Sequence, residues 1–115
     1  MALPELVRRS AEQEVGRYCD SRVPEELQDQ LRVEFHTRGN AITICETRPP
    51  WSDEDPDRSW THGKIAQLRY ANGDWVLYWS DRNGKWHVYD LIEPSPTVGS
   101  LIAEVEKDPV SIFWG

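Results

Sequence analysis

Cysteine is scarce in this chain of 115 residues, which contains only Cys19 and Cys45. Two cysteines are too few for a disulfide scaffold, and they show no Cys-x-x-Cys or Cys/His spacing of a metal site. Long apolar runs are also absent, and the first residues lack the apolar core of a secretory signal. We therefore expect reduced thiols in a cytoplasmic protein, with no membrane association, no cofactor and no metal site.

Positive charge is in deficit as well, because 13 Lys and Arg stand against 20 Asp and Glu, for a formal net charge of -7. A nonspecific clamp on phosphates needs clustered Lys and Arg, so the balance argues against a nucleic-acid partner. A nucleic-acid-binding protein of this composition would need a local basic strip, and a uniformly negative surface would rule that function out.

Two Asn-Gly pairs, Asn72-Gly73 and Asn83-Gly84, predict two consecutive hairpins at 65–80 and 75–91. If both have two-residue loops, the register puts Leu68 opposite Leu77 and Trp79 opposite Val88. The face with Leu68 and Leu77 is the predicted core. The opposite face is mixed and carries Ile65, Gln67, Arg69, Val76, Tyr78, Ser80, His87, Tyr89 and Leu91.

A third hairpin is predicted at 31–48, where alternating apolar residues flank Gly39-Asn40. A two-residue loop there places Phe35 opposite Ile44 and Val33 opposite Glu46. Glu46 and Arg48 then continue a row that faces the core.

The rest of the chain supplies helices and a loop. Apolar spacing predicts an amphipathic helix over 4–19, a short helix after Pro24, and a last helix from Ser95-Pro96 to Asp108-Pro109. Residues 49–63 predict a long acidic, Pro-containing surface loop, and residues 110–114 an apolar terminal strand.

These elements predict a single α+β domain over 1–115. Its mostly antiparallel sheet would have about five or six strands, packed with an N-terminal and a C-terminal helix.

The pair Glu46 and Arg48 is the first candidate for chemistry. On a core-facing row, charges must be paired or bound to a ligand. Arg48 could bind an anion while Glu46 orients it or acts as a base. The simpler interpretation is a structural ion pair at the edge of the core.

The mixed face is the second candidate. Arg69 supplies a guanidinium, Gln67 an amide, and Tyr78 and Tyr89 supply rings, so this face suits a planar or phosphorylated ligand. Trp51, at the start of the acidic loop, is also predicted to bind the ligand. The alternative is a face covered by the N-terminal helix or by a second copy of the chain. The aromatic terminal strand, with Ile112, Phe113 and Trp114, is the predicted interface of such a homodimer.

Catalytic residues are not identified by any motif. Ser80, Asp81 and His87 suggest a triad, but Ser80 and Asp81 alternate to opposite faces of a strand. The remaining candidates for proton transfer are Glu46, Asp81 and His87.

Several blocks together resemble a bacterial domain-of-unknown-function family over nearly the whole chain. They are Arg22-Val23-Pro24, Glu46-Thr47-Arg48-Pro49-Pro50-Trp51, Trp75-x-Leu77-Tyr78-Trp79-x-Asp81, Trp86-His87-x-Tyr89 and Phe113-Trp114-Gly115. The resemblance implies a single-domain bacterial protein and supplies no catalytic residues.

The sequence thus favours a binding module over an enzyme. Its aromatic and Arg-bearing sheet face would engage a protein partner, a second copy of the chain or a small anionic ligand. The alternative is a small enzyme acting on a phosphate- or nucleotide-containing substrate, with a metal-dependent nuclease as one version.

Overall fold

The computed structural model describes residues 3–49 and 61–114. Within these residues there are two α-helices, one short 3-10 helix and one five-stranded antiparallel sheet, so the predicted α+β class is confirmed. The sheet order follows the chain order. In chain order the elements are α1 (Glu5–Arg22), a short 3-10 helix (Glu25–Leu27), β1 (Arg32–Arg38), β2 (Ala41–Arg48), β3 (Thr61–Ala71), β4 (Asp74–Ser80), β5 (Trp86–Val88) and α2 (Gly99–Lys107).

One face of the sheet packs against the helices and forms the core. Helix α1 buries Ala11, Val15 and Cys19, one turn apart, and lies against β1. The largest fully buried side chains are Trp75, Ile42, Ile44, Leu68, Leu77, Leu101, Val15, Val98, Val105 and Thr47. Five of them, Trp75, Ile42, Ile44, Leu68 and Leu77, are strand residues that the alternation places on the core face, while Val15, Val98, Leu101 and Val105 come from the helices and their flanks.

The turn at Asn72-Gly73 has the conformation that its sequence predicts. Asn72 and Gly73 both have positive φ, 55° and 85°, as a two-residue type I′ turn requires. Leu68 therefore pairs with Leu77 and Tyr70 with Trp75. The predicted register of β3 with β4 and the predicted core face of this hairpin are confirmed.

The turn at Gly39-Asn40 is also a two-residue loop, and Gly39 adopts φ 60°. Arg38 pairs with Ala41, so Phe35 lies opposite Ile44 and Val33 opposite Glu46, as predicted. Asn40 further ties this turn to β3, because its Nδ2 donates to the carbonyl of Tyr70 at 2.9 Å.

The turn at Asn83-Gly84 differs from the prediction by one residue. Only Gly84 has positive φ there, and the backbone N–H of Asp81 donates to the carbonyl of Lys85 at 2.9 Å. This is a three-residue loop with a bulge at glycine. Trp79 consequently pairs with His87 rather than with Val88. A shift of one residue exchanges the faces of β5, so the predicted placement of its side chains is wrong.

The pairing of β2 with β3 contains an irregularity that alternation does not predict. The register shifts between Ile44 and Cys45, and Ile65 lies between the paired residues Ala66 and Lys64. Strand β3 begins at Thr61, so 61–63, placed in the predicted 49–63 loop, belong to the sheet. Residues 50–60 of that loop, with the candidate Trp51, lie outside the described residues.

The last helix begins at Gly99 rather than at Ser95-Pro96. The backbone of Ser95 is used elsewhere, because it exchanges two hydrogen bonds with Trp75, at 2.6 and 3.0 Å. A residue held in an isolated β-bridge cannot also begin a helix, so α2 starts after Val98. Its predicted end at Asp108-Pro109 is correct.

The predicted terminal strand 110–114 is not formed. Asp108 has φ 43°, and its carboxylate accepts hydrogen bonds from the backbone N–H groups of Ile112, Phe113 and Trp114 at 2.8, 3.0 and 2.9 Å. Donors bound to one carboxylate cannot enter a sheet ladder. The segment is instead a turn around Asp108.

Within the described residues, no helix combines the length and the apolar content that a membrane crossing needs.

Candidate functional site

A groove of about 550 Å³ lies on the sheet face opposite the helices. We call it the open-face groove. Its volume is in the range of small-molecule sites. The described residues that line it are His36, Arg38, Ala41, Thr43, Cys45, His62, Lys64, Gln67, Arg69 and Trp86.

The charge of this groove is opposite in sign to the charge of the chain. Arg38, Lys64 and Arg69 bring positive charge to the groove, and His36 and His62 also line it. None of those lining residues is acidic. The fold has therefore placed cations together on a protein with net charge -7.

Arg69 is held in the middle of the groove by neutral partners. Its Nε donates to Oε1 of Gln67 at 2.6 Å, and Nε2 of Gln67 donates to Oγ1 of Thr43 at 2.9 Å. The guanidinium lies 3.9 Å from the centre of the Tyr78 ring. No carboxylate of a described residue forms an ion pair with Arg69. Among the described residues, the Arg69 side chain is thus positioned by uncharged partners.

Lys64 and Trp86 form one end of the groove. The Nζ of Lys64 donates to the carbonyl of Gly84 at 2.8 Å and lies 5.6 Å from the centre of the Trp86 ring. This contact ties β3 to the β4–β5 turn. Because of the shifted register, Trp86 shares the open face with Tyr78 and Ser80.

Arg38 lies at the β1 end of the groove. It is exposed, and it stands opposite Ala41, whose partner on β3 is Arg69. The small side chain of Ala41 leaves open space between the two guanidinium-bearing positions.

Cys45 contributes apolar surface to the groove rather than a nucleophile. Burial raises the pKa of its thiol, with a further contribution from Glu34, while Lys64 acts in the opposite direction. Burial likewise raises the pKa of the Cys19 thiol on α1, to about 12. Both thiols are free and stay protonated at neutral pH, and a thiol is a poor nucleophile.

Gln67, Arg69 and Tyr78 are the predicted ligand-binding residues that the structure brings together. Arg48 lies elsewhere, because Glu46 shares the face of Val33 on the helix side. Its Nη2 lies 2.6 Å from Oε1 of Glu46, and 63% of its side chain is exposed. The two residues thus form an ion pair that is separated from the groove by the sheet.

Tyr89 was placed on the mixed face, and this placement is wrong. It is 3% exposed, its hydroxyl donates to Oε2 of Glu104 at 2.6 Å, and its ring packs on Phe113. Burial, followed by Glu104, raises the pKa of Tyr89 to about 12. The residue belongs to the core because the β4–β5 register is shifted.

His87 also leaves the predicted face and joins Asp81 on the side of Trp79. His87 stacks on Trp79, with 4.8 Å between ring centres, and its Nε2 lies 2.7 Å from Oδ2 of Asp81. The other oxygen of Asp81 accepts the backbone N–H groups of Asn83 and Lys85. The hydrogen bond to His87 is the main cause that lowers the pKa of Asp81. This arrangement holds the β4–β5 turn.

Ile112, Phe113 and Trp114, the predicted interface, pack on their own domain. Phe113 is 5% exposed, and the Arg22 guanidinium lies 4.3 Å from the centre of the Trp114 ring.

Several groove residues were missed by the sequence analysis. The Gly39-Asn40 register already places His36, Arg38 and Thr43 on one face, so the signal for them was present. His62 was assigned to the loop, and Lys64 lies beside the irregularity in β3. Trp86 was placed on the wrong face by the assumed two-residue turn.

No group of three or more His, Cys, Asp or Glu suited to a metal ion occurs among residues 3–49 and 61–114.

Comparison with known families gives a match over residues 3–115 to a family described as Domain of unknown function (DUF3024). The chain belongs to this family. The resemblance inferred from the sequence blocks is thus confirmed at the level of a domain-of-unknown-function family, and the DUF3024 match brings no activity with it. Searches of curated proteins and of solved structures gave no match.

Proposed function

We propose that this protein is a binding module that holds an anionic ligand in the open-face groove. The observation that carries the proposal is the charge of the groove: Arg38, Lys64 and Arg69 line it, and no described lining residue is acidic. Clustered positive charge raises the local concentration of anions and strengthens their contacts.

Arg69 is the anchor in this proposal. Its Nε is occupied by Gln67, and its guanidinium rests on Tyr78, so the side chain is already ordered before a ligand arrives. A planar guanidinium in a fixed position suits the paired oxygens of a phosphate or carboxylate. Preorganisation lowers the entropy cost of binding.

The small-enzyme alternative receives less support from the geometry. Glu46 and Arg48 lie across the sheet from Arg69, and Asp81 with His87 stabilises a turn. The thiol in the groove is held protonated by burial. The candidate acids and bases therefore do not converge on the anion site.

We also propose a bacterial cytoplasmic setting, which suits the two free thiols. A protein partner or a second copy of the chain is another predicted occupant of the open face, and the experiment below distinguishes these occupants from an anion.

The test is a titration of the ¹⁵N-labelled protein with inorganic pyrophosphate, followed by two-dimensional NMR. We expect shifts that cluster at Thr43, Gln67 and Arg69, and a severalfold weaker response in Arg69→Gln. The matched control is Arg9→Gln, which removes one charge from an exposed position on α1.

Shifts scattered over the surface, or an Arg69→Gln response equal to that of Arg9→Gln, would contradict the proposal. Light scattering of the same samples reports the oligomeric state. A dimer whose contacts cover Arg69 would assign the face to self-association instead.

A further inference from the structure

We infer that the ligand of the open-face groove is a single-stranded nucleic acid, whose phosphates contact Arg38, Arg69 and Lys64 while an unpaired base stacks on Trp86. This inference rests on the proposed anion-binding function and names its ligand class.

The spacing of the cation-bearing positions suits a ligand with more than one phosphate. Arg38 and Arg69 lie two strand spacings apart, about 10 Å, and Arg69 and Lys64 are separated by about 16 Å along β3. Arg69 is held by Gln67 and Lys64 by the carbonyl of Gly84, so these two charges stay too far apart to contact one small anion. A ligand with phosphates at intervals matches this layout.

An aromatic and apolar surface adjoins the cations on β5. Trp86 is partly exposed on the open face and lies beside Lys64. Val88, which is 53% exposed, stands opposite Tyr78 on the same face. A ligand made only of phosphates gains nothing from such a surface, whereas bases stack on aromatic side chains.

Single strands fit this surface better than duplexes. In a double helix the base faces are stacked on one another, and only unpaired bases can stack on a protein ring. A sheet with cations and rings on one face and helices on the other presents both contacts at once.

The negative net charge of the chain argues against a nucleic-acid ligand when only composition is considered. The local charge of the open-face groove is positive, however, and it is this local charge that a ligand meets. Three cations share one groove whose described lining residues carry no negative charge, and Glu34 adjoins it opposite Cys45. The acidic remainder of the protein repels a long polyanion, so we expect short contacts and strong salt dependence.

The experiment measures fluorescence anisotropy of a labelled 12-nucleotide oligothymidine with the full chain. The comparison strand has the same phosphates and abasic sugars. We expect oligothymidine to bind about tenfold more tightly, the effect of stacking one base. With three phosphate contacts, log K against log salt should have a slope of about -2.

Trp86→Ala should weaken oligothymidine binding about tenfold and leave the abasic strand unchanged, while Trp86→Phe retains most of the affinity. Arg38→Gln should weaken the binding of both oligonucleotides, and Arg9→Gln should weaken the binding of neither. If Trp86→Ala does not fold, the difference in affinity of the native protein for oligothymidine and for the abasic oligonucleotide tests the inference by itself.

Equal affinity for the two strands would overturn the nucleic-acid inference. The anion groove would still stand if pyrophosphate produced the clustered shifts described above. Absence of both oligothymidine binding and pyrophosphate shifts would overturn the inference and the proposed function together.

Discussion

Asp81 and Asp108 each have a carboxylate that accepts hydrogen bonds from more than one backbone N–H group. Asp81 directly follows β4, and Asp108 directly follows α2. Asp81 accepts from Asn83, Lys85 and His87 in the β4–β5 turn. Asp108 accepts from three consecutive N–H groups of the C-terminal segment. Charged acceptors form stronger hydrogen bonds than neutral ones, so a single residue can fix an irregular loop.

Asp81 should make stability depend on pH in the acid range. Its pKa is lowered in the folded protein, chiefly by the hydrogen bond to His87. The stabilisation is therefore complete above the unfolded value of about 3.9 and is lost as pH falls through the lower folded value. We expect the thermal midpoint of Asp81→Asn to lie below that of the native protein at pH 6.

As pH falls below about 4, the difference between the two midpoints should shrink. Asp29→Asn, at an exposed position, serves as the control and should follow the native curve. A constant difference between Asp81→Asn and the native protein from pH 6 to pH 2.5 would show that the charge of Asp81 is not what stabilises the turn.

At the scale of elements, three turns decide which side chains reach the open face. Gly39-Asn40 and Asn72-Gly73 close two-residue loops, whereas Asn83-Gly84 lies in a three-residue loop. The same dipeptide thus gives two registers. The difference arises at the asparagine, because Asn72 has positive φ and Asn83 does not.

Gly84 is required by its backbone conformation, with φ 81°. Gly84→Ala should lower the free energy of unfolding by about 1–2 kcal/mol, the cost of a Cβ in the left-handed region. The nearest atom to a Cβ there is the flexible end of Lys64, at 3.3 Å, so backbone strain dominates.

Gly63→Ala is the matched control, because Gly63 lies in β3 and, among the described residues, a Cβ there would make only an ordinary contact with the carbonyl of Glu46 at 3.6 Å. A strand favours Ala over Gly, so we expect this variant to be as stable as the native protein or slightly more stable. Urea denaturation measures both variants. Equal losses of stability would show that the conformation at Gly84 is not the cause.

At the scale of the whole molecule, the C-terminal segment completes the core. Phe113 packs on Tyr89, and Tyr89 is bonded to Glu104 of α2. Tyr89, next to β5, therefore joins the C-terminal segment and α2 in one core. A role in folding accounts for the apolar character of the segment without a second chain.

Removing residues 112–115 should lower the free energy of unfolding by roughly 3 kcal/mol or more, since truncating a buried Phe alone costs about that much. Denaturation and light scattering of both chains provide the measurement. The control is Val110→Ser, at a half-exposed position, which should change stability little.

A native dimer that becomes a folded monomer of equal stability after truncation would contradict this expectation. The segment would then be an interface, and self-association would precede ligand binding as the function of the protein.

Much of the sheet was predictable because local residues specify it. Gly39-Asn40 and Asn72-Gly73 set two registers, and alternation then placed Ile44, Leu68 and Leu77 in the core. Of the groove, Arg69, Gln67 and Tyr78 were predicted as ligand-binding residues. Lys64 and Trp86 were not, because the irregularity beside Ile65 and the three-residue turn have no distinct sequence signal.

The sequence by itself determined the order of helices and strands and the apolar face of the sheet, since both follow from the spacing of side chains along the backbone. Tertiary structure alone decided the position of Tyr89 and His87, the start of α2 and the turn around Asp108. These depend on hydrogen bonds between residues distant in the chain or on one carboxylate that competes with a regular ladder. Tertiary structure also decided that cations group in one groove of a protein of net charge -7. The composition gives only the total charge, whereas the fold determines which charged residues share a face.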